Sequence, residues 1–388
     1  MIKKRLLFVI ESLRAAGGEK SLITLLSSLD YNRVEVDLQL MSFSGEFIQY
    51  VPDNVRLLPS LTIMKERGNC NLRSIREFCL RIIYSITIRF VKSNKAKARL
   101  YWTIFSRQIN NNINYYDVAI GYGQCLPTFY VIDKVEAKLK LGWVNCIFHL
   151  NGYERKYQRQ YYEKLDKIVL VSEESLNHFK GVYPEFIDKM YMMPDIINPK
   201  TIIEMSKSGQ SYVDGFTGYR ILTVARLNKN DKGYDITLEA CRRLKQRGLL
   251  FRWYAIGRGE YETEILRFIQ MHHLEETFIL LGTTPNPYKF MLDADIYVQT
   301  SRHEGFGLSI AEARILNIPV VTTEFDAVYS QMHPNKNGIV VPQDPIAVAD
   351  AIQLLISNKS LYDSIVAYQK QEKKGNLDII EKFYRLID

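Results

Sequence analysis

Paired cysteines are missing. Cys70, Cys79, Cys125, Cys146 and Cys241 are odd in number and scattered, with no spacing that suggests a disulfide framework or a zinc site. A reducing cytosol is the expected compartment. Long apolar runs are missing too: a spanning helix needs about eighteen apolar residues, and the longest candidate, 80–91, is interrupted by Arg81 and Arg89. The opening MIKKRLLFVIESL starts like a secretory signal, but its apolar core stops at Glu11, which suits a first buried strand. No membrane crossing is expected. What the chain has is core-forming material: 388 residues, 47% hydrophobic and 24% charged, enough for two globular domains.

Positive charge is abundant in one place. Between Lys65 and Arg107 eleven Lys or Arg face only Glu66 and Glu77, a local +9 against +8 for the whole chain. Large apolar and aromatic residues alternate with these bases, among them Ile82, Ile83, Ile86, Phe90, Trp102 and Phe105. That composition describes a helix pair lying on an anionic lipid surface, where each base contributes on the order of 1 kcal/mol. A nucleic-acid patch would carry the same charge, but no nucleic-acid motif accompanies it. A solvated helical face over an ordinary core stripe is the plainer reading.

Along the chain, 6–10 reads as a strand, followed by a loop with Gly17 and Gly18 and a helical pattern through Leu29. The glycine pair suits close approach of backbone to a ligand, but lacks the G-x-G-x-x-G dinucleotide spacing. Residues 34–43, 117–121, 140–144 and 167–172 read as further strands, with a helix opening at Ser172 or Glu173. Strands alternating with helices predict an α/β fold with a doubly wound parallel sheet. Residues 194–218 mix Pro, Asn, Ser and Gly and mark an interdomain crossing. The alternation restarts with strands at 220–225, 251–256, 278–281, 295–300 and 319–323. The loop after 220–225 carries Arg226 and Lys232, six apart, able to grip both phosphates of a diphosphate through charge-assisted bonds of roughly 1.5 to 3 kcal/mol each.

The stretch 301–312, SRHEGFGLSIAE, joins a strand to a helix. Gly305 and Gly307 let backbone come close to a ligand, and the amides of Phe306 to Ser309 would sit at a helix N-terminus, where free N–H groups and the macrodipole attract anions. Glu304 just before the helix and Glu312 inside it can both reach one extended ligand with hydroxyls beside a phosphate, which describes a sugar nucleotide. An ordinary strand-to-helix turn with solvated glutamates is the alternative. All these loops follow the carboxyl ends of strands, where open parallel sheets bind ligands.

In this order and spacing the motifs resemble those of the retaining GT-B glycosyltransferases of family 4, the group 1 glycosyltransferases. Glu11-Ser12-Leu13 through Gly17-Gly18-Glu19 resembles the N-terminal glycine loop, and Val224-Ala225-Arg226-Leu227 with Lys232-Gly233 the diphosphate grip. Ala255-Ile256-Gly257-Arg258-Gly259 resembles the middle glycine turn, and Glu304-Gly305-Phe306-Gly307-Leu308 to Ala311-Glu312-Ala313 the E-x7-E element. The resemblance implies two Rossmann-like doubly wound domains facing a cleft: an acceptor-side domain at 1–196 rejoined by a last helix near 375–388 (pattern 376–386), and a nucleotide-sugar domain at 197–374. It implies that Glu304 bonds the donor sugar, Glu312 the ribose, and Arg226 and Lys232 the departing diphosphate. Gly17, Gly18, Gly257, Gly282, Gly305, Phe306, Gly307 and Leu308 would line the donor. No metal or other cofactor is implied.

Three positions depart from the family pattern. Relatives often place a histidine near Trp143-Val144, where this chain has Asn145 and, four residues later, His149; either can take that role. Glu324-Phe325-Asp326-Ala327 replaces a common glycine pair, and Ala225 a common glycine. Asp293-Ala294-Asp295 imitates a metal-binding D-x-D but precedes a buried strand, so it reads as structural. His272-His273 lack a third ligand and read as surface. The expected activity is sugar transfer to a lipid-linked glycan, a polyprenyl-diphosphate carrier, for a bacterial surface polysaccharide, at the cytoplasmic face of the membrane and without nucleic acid. A soluble acceptor, or a catalytically silent partner subunit, are the alternatives.

Overall fold

The computed structural model describes residues 3–14, 17–61, 75–91, 93–145, 150 and 152–388. They form two compact units, Met1–Ile196 with Asp378–Asp388, and Ile197–Leu377.

In the first unit the apolar run Leu6 to Ile10 makes β1 (Lys4–Ile10), buried on both faces, as a parallel strand covered by helices must be. The order continues α1 (Gly17–Ser27), β2 (Val34–Leu40), β3 (Val55–Leu57), α2 (Ile75–Thr87), α3 (Asn94–Phe105), β4 (Tyr115–Gly121), α4 (Leu126–Lys134) and β5 (Glu136–Val144). Then come α5 (Gly152–Tyr162), β6 (Lys167–Leu170), α6 (Glu173–Val182) and β7 (Met190–Met192). The strands form one parallel sheet in the order β3-β2-β1-β4-β5-β6-β7. Strand order therefore reverses at β1 and β4. Helix α3 is seated by Trp102, whose Nε1 donates to Asp133 at 2.8 Å, and by buried Phe105. Tyr84 of α2 packs edge-on against Phe105, ring centroids 5.4 Å apart, so α2 rides on α3. Of the basic segment 65–107, residues 65–74 and 92 lie outside the described residues.

The second unit runs α7 (Pro199–Ser206), β8 (Tyr219–Val224), α8 (Tyr234–Gln246), β9 (Phe251–Ile256), α9 (Glu262–Met271), β10 (Phe278–Gly282) and α10 (Tyr288–Leu292). It continues β11 (Ile296–Gln299), α11 (Leu308–Ile315), β12 (Val320–Thr323), β13 (Gly338–Val341), α12 (Pro345–Ser357) and α13 (Lys359–Gln371). Its parallel sheet has the order β10-β9-β8-β11-β12-β13. Helices α8, α9, α12 and α13 pack on one face through Leu244, Ile265, Ile352 and Ile365. Helices α7, α10 and α11 cover the other through Ile202, Met291 and Ile310. The chain then returns to the first unit with α14 (Ile380–Ile387), whose Phe383, Tyr384, Leu386 and Ile387 join the core around Phe8 and Leu26.

Both units have the doubly wound parallel architecture that the alternation of strands and helices predicts. Local bounds differ for identifiable reasons. The strand read at 167–172 stops at Leu170, because Ser172 turns to cap α6, its Oγ accepting from Ser175 N at 3.1 Å. The strand read at 295–300 narrows to Ile296–Gln299, because Thr300 Oγ1 bonds the carbonyl of Lys232 at 3.0 Å. The crossing read at 194–218 contains α7, started by Asn198 as N-cap and Pro199 in the first turn.

Candidate functional site

In the second sheet the strand order reverses between β8 and β11, so the loops after these two strands open on the switch point where parallel sheets take ligands. Those loops carry Arg226 with Lys232 and Glu304 with Gly307. The chain binds them tightly together. Gly233 has φ 63°, and a Cβ there would fall 2.0 Å from the carbonyl oxygen of Thr300. Thr300 Oγ1 lies 2.6 Å from Thr237 Oγ1, and Arg302 holds Asp235 through two bonds of 2.8 and 2.9 Å. Burial opposes the Asp235 charge, but the Arg302 guanidinium outweighs it and holds the carboxyl below its usual range.

Across this seam Lys232 Nζ meets Glu304 Oε1 at 2.5 Å, with the two side chains only 17% and 12% exposed. The same oxygen accepts from Ser301 Oγ at 2.8 Å and Gln299 Nε2 at 2.9 Å. Arg226 stands on the same loop, exposed, with no ion pair among the described residues. Lys232, by contrast, is paired with Glu304.

Helix α11 starts at Leu308 behind Gly307, whose φ of 84° is left-handed and suits only glycine without strain. Gln331, 5% exposed, braces the turn: its amide donates to the carbonyls of Phe306 and Gly307. Gly305, Phe306 and Leu308 are half-buried around the free amides of the first helical turn. Glu312 lies deeper in α11, 3% exposed, and accepts from Tyr288 OH at 3.4 Å. The structure thus joins Lys232 directly to Glu304, sets Arg226 and Gly307 on the same two loops, and buries Glu312 behind them.

Gly257 and Gly282 support the β8 loop from the side. A Cβ on Gly257 would sit 2.0 Å from the Ala225 carbonyl oxygen, and Gly257 N donates to Gly282 O at 2.7 Å. In the first unit Gly17 opens α1, and a Cβ on Gly18 would come 3.1 Å from Asn145 Nδ2. Asn145 therefore sits at the α1 N-terminus; His149 lies outside the described residues.

The decoys are pegs. Asp295 accepts from Arg220 N at 2.7 Å, Asp293 from Lys289 at 3.0 Å, and His272 packs against Phe268 with centroids 4.3 Å apart and planes tilted by 51°. Among the described residues no three His, Cys, Asp or Glu are grouped to hold a metal ion. No helix there is long and apolar enough to cross a membrane.

The sequence reading missed Gln299, Ser301, Tyr288 and Gln331. One signal was available: Gln299-Thr300-Ser301 is a polar run closing a buried strand, and such groups cost free energy unless bonded. Tyr297 OH donates to Gln299 Oε1 at 2.6 Å, and burial pushes that phenol well above its ordinary value, so it stays a donor.

Known proteins share this fold. A structure of Anabaena Alr3699/HepE in complex with UDP and glucose superposes with a TM-score of 0.70 at 14% identity, covering 99% of each chain. That likeness gives the fold: GT-B, with two Rossmann-like parallel-sheet units. The amylovoran biosynthesis glycosyltransferase AmsK of Erwinia amylovora is 32% identical over 146 residues, 36% of each chain. The N-acetylgalactosamine-N,N'-diacetylbacillosaminyl-diphospho-undecaprenol 4-alpha-N-acetylgalactosaminyltransferase of Campylobacter jejuni is 34% identical over 104 residues, 27% of each chain. The matches span half or less of the length of the curated relatives considered. Residues 216–372, the stretch that carries Arg226, Lys232, Glu304 and Glu312, match the model of the family Glycosyl transferases group 1.

Proposed function

We propose that the protein is a retaining glycosyltransferase of family 4 type, moving a sugar from a nucleotide-diphosphate sugar to a lipid-linked glycan during synthesis of a bacterial surface polysaccharide. The observation that carries this reading is the Lys232–Glu304 contact at the switch point of the second sheet, beside the N-terminus of α11. Arg226 and Lys232 neutralise the departing diphosphate, and the amides at the start of α11 share that charge. Glu304 bonds the transferred sugar and stabilises charge developing at its anomeric carbon; Glu312 holds the ribose hydroxyls. Preorganised groups of this kind each supply roughly a hundred- to thousandfold in rate. The bond from the anomeric carbon to the diphosphate oxygen breaks as the acceptor oxygen bonds on the same face. The diphosphate oxygen takes the acceptor's proton, so no separate nucleophile and no metal is required.

The lipid-linked acceptor, a polyprenyl-diphosphate glycan, is supported by the Campylobacter relative, whose name gives a diphospho-undecaprenol-linked substrate. A second support is the outward stripe of α2 and the turn after it, where Ile82, Ile83, Ile86 and Phe90 are exposed, Phe90 by 83%, beside exposed Arg89. Such a stripe suits a cytoplasmic, peripheral enzyme on an anionic membrane face.

The test is a panel of UDP- and GDP-hexoses, read by release of nucleoside diphosphate and by binding. Glu304→Gln is expected to lower kcat roughly a hundredfold or more with nucleotide affinity little changed. Glu312→Gln is expected to weaken nucleotide binding more than turnover. No binding of any nucleotide by the wild type, or undiminished turnover in Glu304→Gln, would sink the reading.

A further inference from the structure

Among the described residues, every hydrogen bond to Glu304 reaches one oxygen. Lys232, Ser301 and Gln299 stand 2.5, 2.8 and 2.9 Å from Oε1, leaving Oε2 outside this cluster. Among the three donors Gln299 is the one with its orientation fixed from behind. It is 3% exposed, its Oε1 accepts from Tyr297 OH at 2.6 Å, and its Nε2 also donates to Ser301 Oγ at 2.7 Å. Both amide hydrogens and the amide carbonyl are thereby committed, which leaves a single arrangement of the side chain. Tyr297 is fully buried, and its hydroxyl also lies 3.3 Å from the carbonyl of Val224, the last residue of β8, whose loop carries Lys232.

Lys232 cannot serve the Glu304 carboxylate and a diphosphate at full strength together. When a donor binds and draws the ammonium away, Oε1 would lose its charged partner and the carboxylate its fixed direction. Gln299 and Ser301 remain, both uncharged and neither within the reach of a competing phosphate that a lysine has. We propose that Gln299, held by Tyr297, is the positioning residue of the donor site: it keeps Oε1 of Glu304 anchored after Lys232 transfers to the diphosphate, so that Oε2 stays directed at the sugar. The inference rests on the donor-site reading given above, and adds to it a division of labour between the two carboxylate oxygens.

The experiment uses the full chain with the same UDP- and GDP-hexoses. Gln299→Leu removes the anchor at similar size. Because a misplacement of about 1 Å can cost about a hundredfold in rate, kcat is expected to fall between roughly tenfold and a hundredfold. KM and nucleoside diphosphate affinity should stay within about twofold, the pattern of an interaction realised in the transition state. Tyr297→Phe should give a smaller loss of the same kind. Gln299→Glu keeps size and shape but sets a second carboxylate about 3 Å from Oε1, where the two share a proton. Its kcat profile should lose its low-pH activity limb and move to higher pH. Tyr297→Phe, which keeps the volume and loosens only the bond that fixes Gln299, carries the test where Gln299→Leu fails to fold, since a packing role would leave its kcat in place. Unchanged kcat in Gln299→Leu, a parallel loss of kcat and nucleotide affinity, or an unshifted profile in Gln299→Glu overturns the proposal while the donor-site reading stands. A wild type that releases no diphosphate from any donor overturns both.

Discussion

Asp195 shows how much one side chain can cost at the edge of a core. It follows β7 closely, and Ser21 of α1 donates to its Oδ1 at 2.5 Å while sharing a 2.7 Å contact with Tyr122 OH. Burial lifts the carboxyl from its ordinary 3.8 to about 6, and the Ser21 bond pulls the other way. A folded-state value above the unfolded one means that the fold favours the protonated acid. Below about pH 4 the group costs nothing; as pH rises through 6 it ionises against its surroundings, and the penalty is complete above that. Asp195→Asn keeps the acceptor for Ser21 and removes the charge. It is expected to match the wild type near pH 4 and to be more stable at pH 8 by roughly 2 to 3 kcal/mol at most. Denaturant unfolding at both pH values checks it, and equal stability at pH 8 would refute it. This group was invisible to sequence reasoning, since Asp195 falls within 194–218, which reads as an interdomain crossing. Lys232 and Glu304 were legible because motif spacing singles them out. Gln299 was legible only as part of a polar run and Tyr297 not at all, since what matters is the bond each makes to a side chain beyond its own place in the strand.

Among the elements, central strands announce themselves and edge strands do not. β1 and β9 are apolar runs that any helix-covered parallel sheet requires. By contrast β3 is Val-Arg-Leu and β7 Met-Tyr-Met, three residues each, whose extended form comes from a partner strand already in place. Helix α2 is a different case, because its exposed stripe has no partner among the described residues. Ile82, Ile86 and Phe90 recur at intervals of four with Ile83 between them, while Tyr84 turns to Tyr101 and Phe105 of α3. A soluble role would favour polar groups there, whereas an anionic lipid surface accepts both the isoleucines and the neighbouring bases. The wild type should therefore float with vesicles containing anionic phospholipid. The double variant Ile83→Glu with Phe90→Glu should reduce the bound fraction at least about tenfold, since each apolar side chain buried contributes about 1.5 to 3 kcal/mol. Flotation unaffected by these charges would remove α2 from the membrane contact.

At the scale of the whole molecule, the first unit is built from both ends of the sequence. Its core receives Phe383, Tyr384, Leu386 and Ile387 of α14, all under 9% exposed, after the chain has completed the second unit. Among the contacts that hold α14 are an aromatic stack and an ion pair. Phe383 stacks on Phe8 with ring centroids 6.0 Å apart and planes 22° from parallel. Lys4 meets Asp388 at 2.7 Å, with side chains 37% and 65% exposed. Magnitudes decide which contact matters. An exposed ion pair contributes about 0 to 1 kcal/mol, whereas removing a buried phenylalanine costs about 3 to 5 kcal/mol through lost burial and the cavity left behind. Phe383→Ala is therefore expected to destabilise the first unit by about 3 to 5 kcal/mol, and Asp388→Ala by less than about 1 kcal/mol. Phe383 belongs to the first unit's core, so nucleoside diphosphate binding, which the proposed function assigns to the second unit, should survive in both variants. Thermal unfolding followed with and without nucleotide separates the two effects. If Asp388→Ala proved the more damaging, α14 would be an electrostatic clasp rather than a late-arriving piece of the core.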